Sequence, residues 1–526
     1  MVDCIVEDTL YNRISAIARQ KPAHCALDSN GHNISYARLV ELADQCAAAL
    51  VNKGVRPGDR VAFMSPPRPE VIAVLLACSR LGAIFAGLGL RLQDDELKHV
   101  LTDSAPVVIF CPRDMGQRSC GDEIQPLLPG NRSQTIVRLS FDKAREIATE
   151  FEAFLAEGHD VEAVNNGQPE SPLALIYTSG STGKPKGAAI TNLGILTSVT
   201  NALSRINIDN VRSLSLLPID HVAFLANEVV MVLLSGGTSV QLERFDVEEV
   251  LTTIEGKRIT LWAPIPTMLQ RLAASGRMDD FDLSSLDYVW WPGPLSKDAF
   301  AAIRRKARRL GVSYGMTEAA GGITFSCNET APDKLLHIVG KPLPSLEVRL
   351  DEPTEMDGHI VGEILIRGPQ VIKGYWHRPD ATAASFTPDG WFRTGDLGAF
   401  DGGDLSIVGR KKELIRSGGY NISPYEVEAA IESHEAIAFA IVAGIRDDEF
   451  GEVVVAAASF VSGRSLSVDD IQTHVRRHLP GYKAPKYIST RDNIPFLANG
   501  KVDRKLLQEQ LGKEWANHQS RKSRML

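Results

Sequence analysis

Apolar and polar positions alternate along the first half of this chain in two periods. Residues Tyr36–Asn52 carry apolar side chains at helical spacing, and Arg60–Met64 is a short apolar run. The pattern then predicts a helix over 70–80, a strand over 82–88, a helix over 94–103 and a strand over 107–111. This strand–helix–strand rhythm predicts a largely parallel sheet with helices on both faces. It returns between residues 173 and 289. The apolar stretch over 71–90 approaches the length of a membrane span. Arg80 and three glycines interrupt it, so it is expected to be a buried helix followed by a core strand.

Past about Pro342 the texture changes. Short runs over 346–350, 362–367 and 405–409 stand between Gly-, Pro- and Asp-rich turns, which predicts a small β-barrel-like layer. The last hundred-odd residues read as a separate α+β domain. Ser423-Pro424-Tyr425-Glu426 has the form of a capping box with Pro at the first helical position. Strands are expected over 438–445 and 453–461, a helix from Ser467 to before Pro480, and a short final helix over 503–511. The polar, basic tail beyond Lys513 is expected to fray. The fold class is therefore α/β: a large N-terminal domain of layered sheets, 1–409, followed by a small mobile α+β domain, 410–526.

Composition narrows the functional classes. The chain has 526 residues, about three or four folding units. It is 44% hydrophobic and 23% charged, with a net charge of −8. That is ordinary for a globular protein and gives no basic face for nucleic acid. The seven cysteines (Cys4, Cys25, Cys46, Cys78, Cys111, Cys120, Cys327) are scattered and never spaced C-x-x-C. This suits a reduced compartment and offers no zinc framework. The N-terminus lacks a signal-peptide pattern, so the cytoplasm is the expected location.

The most informative segment is Thr178-Ser179-Gly180-Ser181-Thr182-Gly183-Lys184-Pro185-Lys186-Gly187, directly behind the apolar run 173–177. Clustered hydroxyls and glycine amides can surround a polyphosphate with donors, and two lysines add positive charge. It is not a Walker A loop: position 178 is Thr rather than Gly, and Pro185 follows Lys184 where that loop has Ser or Thr.

Four further motifs follow in order: Tyr314-Gly315-Met316-Thr317-Glu318; Trp391-Phe392-Arg393-Thr394-Gly395-Asp396; Gly409-Arg410-Lys411-Lys412-Glu413, continuing through Gly419 to Glu428; and Pro495-Phe496-Leu497-Ala498-Asn499-Gly500-Lys501. Together with the phosphate loop, this set resembles the adenylate-forming superfamily: acyl-CoA synthetases, peptide-synthetase adenylation domains and luciferases. The resemblance covers nearly the whole chain and is closest to a free-standing acyl- or aryl-CoA ligase.

The resemblance implies a two-step reaction. A carboxylate first attacks the α-phosphate of ATP and expels pyrophosphate. The acyl group then passes to coenzyme A or to the pantetheine of a carrier protein. By motif position, Thr178, Ser179, Gly180, Thr182 and Lys186 would handle the phosphates. Thr317 would bond the α-phosphate, Glu318 would hold Mg²⁺, and Tyr314 and Gly293 would border adenine. Asp396 would take the ribose hydroxyls with Arg410 beside it. Lys501 would bridge the incoming carboxylate and the α-phosphate. Lys412 would be the hinge about which the C-terminal domain turns, and Gly419 would leave room for pantetheine.

The acid itself is less legible. His221, in Leu217-Pro218-Ile219-Asp220-His221, would line the acyl site by the same resemblance. Asp220 departs from the family pattern, which often has an aromatic there. Ala223 stands where amino-acid-activating domains carry an Asp, which disfavours α-amino acids. Trp290 and Trp291, if either pointed inward, would wall a short or planar pocket. A small carboxylic acid, aromatic or short-chain, is the expectation. An enzyme loading a carrier protein or an amine is the first alternative, and an inactive nucleotide binder the second. A monomer or homodimer is expected from the resemblance.

Overall fold

The computed structural model describes residues 7–114, 124–128, 134–178, 184–328, 330–356, 358–461, 463–491, 494–495 and 502–523. The chain divides into two compact units. One comprises Met1–Val348 with Ile366–Phe392, the other Arg349–Leu365 with Arg393–Leu526.

The first unit is built on two sheets. The six-stranded sheet has the order Thr135–Leu139, Val108–Pro112, Arg60–Met64, Ile84–Leu88, Pro172–Thr178, Lys186–Thr191. Its neighbours pair in parallel, except that Pro172–Thr178 and Lys186–Thr191 run antiparallel. The nine-stranded sheet runs from Lys341–Pro342 through Gly321–Phe325, Arg309–Met316, Tyr288–Pro292, Leu261–Trp262, Arg212–Ser215, Thr238–Gln241 and Cys25–Ser29 to His32–Ser35. Its inner pairs are parallel, and antiparallel strands close both edges.

The stretch over 71–90 is the expected buried helix and core strand. Helix Pro69–Leu81 starts on a proline at its first position and ends at Gly82, whose φ of +69° only glycine adopts cheaply. Its apolar side chains are all buried. Arg80, the interruption, leaves the core to pair with Asp44 at 2.7 Å and to donate to the Ala163 carbonyl at 2.7 Å. Among the described residues no helix is long and apolar enough to cross a membrane. The described cysteines Cys25, Cys46, Cys78, Cys111 and Cys327 are free; Cys4 and Cys120 lie outside the described residues.

Trp290 and Trp291 are both buried in the core. Trp290 packs against Tyr288 and Phe325, and Trp291 meets Phe300 edge-on at 6.0 Å. Neither indole lines an open pocket, so they give no argument about the acid. The reason is local: successive strand residues face opposite sides of the sheet, and both faces here are covered.

The second unit holds most of a four-stranded sheet in the order Glu347–Met356, His359–Arg367, Phe392–Asp401, Asp404–Arg410. This is the layer whose short runs suggested a barrel. A second sheet joins Tyr420–Ile422, Ile415–Ser417, Gly451–Phe460 and Ile437–Asp447, with Tyr487–Thr490 parallel to Gly451–Phe460. The hairpin turn Gly418-Gly419 connects the paired residues Ser417 and Tyr420 with φ of +57° and +83°. Two successive positive φ values make a primed turn, which explains the glycine pair by itself.

Two local expectations fail in this unit. Helix Pro424–Glu432 starts where expected, but no capping box forms. The Ser423 hydroxyl donates to the Val408 carbonyl, and Glu426 takes both of its bonds, each 2.8 Å, from the buried Lys483 ammonium. Tertiary partners outcompete the local cap. The last helix also runs much further than expected, over Arg504–Ser523. Leu507, Leu511 and Trp515, spaced by one helical turn, are buried with Ile441, Val453 and Val455 and hold the tail in helical form.

Candidate active site

In the first unit the phosphate segment is a hairpin base. Thr178 and Lys186 are register partners at the ends of the antiparallel strands Pro172–Thr178 and Lys186–Thr191. Ser179, Gly180 and Thr182, between them, lie outside the described residues. On the Lys186 side the Nε2 atom of His99 lies 2.9 Å from the Pro185 carbonyl. With its proton on Nε2, His99 donates there and fixes the exit of the loop.

Strand Arg309–Met316 leads into a short turn, Thr317–Ala319, and both Thr317 and Glu318 are buried. Tyr314, partly exposed, lies two residues before the strand's end. Gly315 is required by packing, since a Cβ there would collide with the Gly321 carbonyl of the antiparallel neighbour. Glu318 is tied down twice. Its carbonyl accepts from the Ile372 amide at 2.9 Å, and its carboxylate Oε1 accepts from the Tyr375 hydroxyl at 2.8 Å. Burial, with the Glu318 carboxylate beside it, pushes the Tyr375 hydroxyl up, so it stays a donor. The Lys186 ammonium lies over the Tyr375 ring, 5.1 Å from its centroid. The structure thus brings Lys186 and Glu318 to the same tyrosine, which sequence reasoning missed.

Glu318 has the right chemistry for Mg²⁺. That ion keeps several waters and is held by one or two carboxylates together with phosphate oxygens. Among the described residues no group of three or more His, Cys, Asp or Glu forms a metal cage. A single carboxylate joined through Tyr375 to Lys186 fits the former pattern.

Gly293 follows strand Tyr288–Pro292 with φ of +76°, and its amide donates to the Ser313 carbonyl at 3.3 Å. No atom lies within 4 Å of where its Cβ would stand. His221 sits in a turn, its amide donating to the Pro218 carbonyl at 3.0 Å. Its Nδ1 accepts from the Ala223 amide at 3.1 Å, which puts the proton of the neutral ring on Nε2. Asp220 packs against Gly89, where a Cβ would collide with its carboxylate, and burial raises its carboxyl.

A second residue that sequence reasoning missed organises this segment. Glu228 is fully buried in the π-helix Phe224–Val230. One oxygen, Oε2, accepts from the Leu216 amide at 2.9 Å, the Leu217 amide at 3.0 Å and the Ser215 hydroxyl at 3.1 Å. It therefore holds the backbone that leads into 217–221. Burial pushes its carboxyl up to about 8 against these three bonds.

In the second unit Asp396 and Arg410 are register partners on strands Phe392–Asp401 and Asp404–Arg410, with Arg410 Nε 3.2 Å from Asp396 Oδ1. Asp396 is buried and Arg410 exposed. Gly395, at φ +75°, donates its amide to Glu363 at 3.2 Å. Glu363 also receives Lys411 at 2.9 Å. Lys412 is exposed. Lys501 lies outside the described residues; of its neighbours, the Asp503 amide donates to the Pro495 carbonyl at 2.9 Å. Asp503 then caps the final helix, accepting from the Leu506 amide at 3.0 Å.

This arrangement has close relatives. The family described as AMP-binding enzyme matches residues 14–376, and the AMP-binding enzyme C-terminal domain matches residues 426–501. Feruloyl-CoA synthase from an Amycolatopsis species is 34% identical over 500 residues, spanning 92% of this chain and 95% of that protein. Indoleacetate–CoA ligase from Aromatoleum aromaticum is 35% identical over 493 residues, spanning 92% and 94%. The crystal structure of ATP-bound MatB from Rhodopseudomonas palustris has a TM-score of 0.86 at 26% identity, covering 96% of this chain and 99% of that one. The chain belongs to the AMP-binding enzyme family, the adenylate-forming ligases.

Proposed function

We propose that this protein activates a planar aromatic carboxylic acid and passes its acyl group to coenzyme A. The coarser reaction is that of an AMP-forming acid–CoA ligase, dependent on ATP. The observation that carries it is the cluster of Lys186, Tyr375 and Glu318 at the base of the phosphate hairpin. The aromatic acid is supported by the likeness to ligases named for feruloyl and indoleacetate groups.

In the first step a carboxylate oxygen of the acid attacks the α-phosphorus. The bond from that phosphorus to the bridging oxygen breaks, and pyrophosphate leaves. Two anions must meet, so the protein's task is positioning and charge compensation. Thr178, Ser179, Gly180, Thr182 and Lys186 compensate the leaving phosphates, and Thr317 donates to the α-phosphate. Glu318 would hold Mg²⁺, which supplies charge neutralisation of the phosphate oxygens when bound. Tyr314 and Gly293 flank adenine, and Asp396 accepts from the ribose hydroxyls with Arg410 orienting it. Lys501 joins the two reacting anions, where a mobile ammonium suits a transient charge.

In the second step the thiol of coenzyme A loses its proton and its sulfur attacks the acyl carbonyl carbon. The carbon–oxygen bond to AMP breaks. We assign the change between steps to rotation of the segment 410–526 about Lys412, which withdraws Lys501 and brings Gly419 to the thiol path. His221 lines the acyl side. Coenzyme A rather than a carrier-protein pantetheine is the acceptor, the location is the cytoplasm, and the working form is a monomer or homodimer.

Thioester formation tests this reading. The protein is incubated with ATP, Mg²⁺, coenzyme A and a panel of aryl, arylpropenoic, short-chain and long-chain acids. Thioester absorbance with the aromatic acids supports the reading. Turnover confined to aliphatic acids overturns the acid assignment, and turnover only with a carrier protein or an amine overturns the acceptor.

A further inference from the structure

Lys186 and Glu318 carry opposite charges and meet the same side chain, yet they are not ion-paired with each other. Tyr375 stands between them. Its ring offers a face to the ammonium, and its hydroxyl donates to the carboxylate at 2.8 Å. We propose that Tyr375 is a positioning residue for the metal–nucleotide complex: it orients the Glu318 carboxylate toward Mg²⁺ and keeps Lys186 from neutralising it. The proposal rests on the reading of Glu318 as the metal-holding residue.

The backbone fixes Tyr375 from both sides. It forms an isolated antiparallel bridge with Ala188, next to the phosphate strand's first residues, and the following Trp376 amide donates to the Gly187 carbonyl at 2.8 Å. The Tyr375 amide donates to the Thr382 hydroxyl at 2.9 Å. Upstream, Ile372 donates to the Glu318 carbonyl at 2.9 Å, and the Gln370 side chain bonds the Gly322 carbonyl at 2.6 Å. The segment 370–376 is therefore stitched to the phosphate hairpin and to the turn that carries Glu318. A stiff ring in that position sets the spacing between the two charges.

The physical need is plain. At contact, a half-buried ammonium and a buried carboxylate attract and satisfy each other. Each would then be less available to phosphate or metal. A ring face attracts a cation without accepting its proton or its charge. A hydroxyl bond to one carboxylate oxygen leaves the second for a cation and fixes its direction. Partners of this kind behind a metal ligand are worth about 10–100-fold in metal affinity.

The test uses the full chain and binding rather than turnover. Mn²⁺ replaces Mg²⁺, and its bound fraction in the presence of ATP is read by electron paramagnetic resonance. ATP affinity without metal is read by calorimetry. Tyr375→Phe keeps the ring and deletes the hydroxyl. It is expected to weaken Mn²⁺ binding to the ATP complex by about tenfold, with metal-free ATP affinity and thermal midpoint unchanged. Tyr375→Leu is expected to weaken metal-free ATP binding as well, because Lys186 loses its ring. In a Glu318→Gln background, Tyr375→Phe should cost nothing further. If Glu318→Gln weakens Mn²⁺ binding and Tyr375→Phe does not, the proposal falls while the reading of Glu318 stands. If Glu318→Gln leaves Mn²⁺ binding unchanged, that reading falls first.

Discussion

Arg504 meets Glu428 through two parallel hydrogen bonds of 2.8 Å each. The guanidinium also lies 4.6 Å from the centroid of the Tyr425 ring, whose hydroxyl donates to Glu413 at 3.0 Å. Glu413 follows the proposed hinge residue Lys412 directly, and Arg504 stands three residues after Lys501. One cluster thus ties Glu413, next to the proposed hinge, to Glu428 and to the first residue of the final helix within the second unit. Arg504→Lys keeps the charge but loses the planar fork. It is expected to cost ~1–2 kcal/mol of stability, the scale of one lost hydrogen bond to a charged group at a partly exposed site, since the ammonium still faces Glu428. Denaturant unfolding checks this, and an unchanged midpoint would show that the cluster anchors nothing.

Lys501 separates the two half-reactions. Lys501→Ala is expected to slow adenylate formation by ~100-fold or more, the scale of losing one charge-stabilising donor. Thioester formation from supplied acyl-adenylate and coenzyme A should be nearly unchanged. Measuring each half-reaction alone decides it, and equal losses in both would contradict the hinge account.

Asp396 is expected to read the ribose. Asp396→Asn should weaken AMP binding by ~10–100-fold, the scale of charge-assisted hydrogen bonds. The parent protein should discriminate against 2′-deoxy- and 3′-deoxy-AMP, and the variant should bind AMP and both analogues about equally. Retained discrimination in the variant would place the ribose elsewhere.

Glu228 gives a pH signature. Its folded carboxyl titrates at about 8 against an ordinary value of 4.5, because burial disfavours the charge. The folded protein binds this proton more tightly than the unfolded chain does. Its contribution is fully present below pH 4.5 and is lost as pH rises through about 8. Glu228→Gln keeps the acceptor oxygen and removes the titration. The variant should match the parent at pH 5 and exceed it by a few kcal/mol near pH 9, by linkage. Glu432, half-buried and raised to about 7, titrates in the same window in both proteins, so the difference between variant and parent isolates Glu228. A pH-independent difference would refute the assignment.

How much of this was legible in the chain follows from sequence separation. Helix Tyr36–Asn52 and the strand before the phosphate loop announce themselves because their signals are local: apolar periodicity in one, hydroxyls and glycines behind an apolar run in the other. Each proposed site residue was legible only through a motif a few residues long. Tyr375 was not, because its partner Glu318 is 57 residues away and Gly-Tyr-Trp has no code for that contact. Glu428 and Arg504 are 76 apart. Glu228 lies closer to its partners, but a lone carboxylate in an apolar run reads as an interruption until the backbone amides facing it are known. The capping box failed for the converse reason: a local pattern was present, and tertiary partners took its side chains.

The central claim is that this chain joins an acid to AMP before any thiol takes part. The direct measurement is exchange of labelled pyrophosphate into ATP, without coenzyme A, in the presence of Mg²⁺ and each acid of an aromatic panel. Exchange that depends on the acid and on Mg²⁺ is expected, and Lys501→Ala should abolish it. No exchange with any acid, in a protein that binds ATP, would contradict the account and leave a nucleotide-binding relative without adenylating activity.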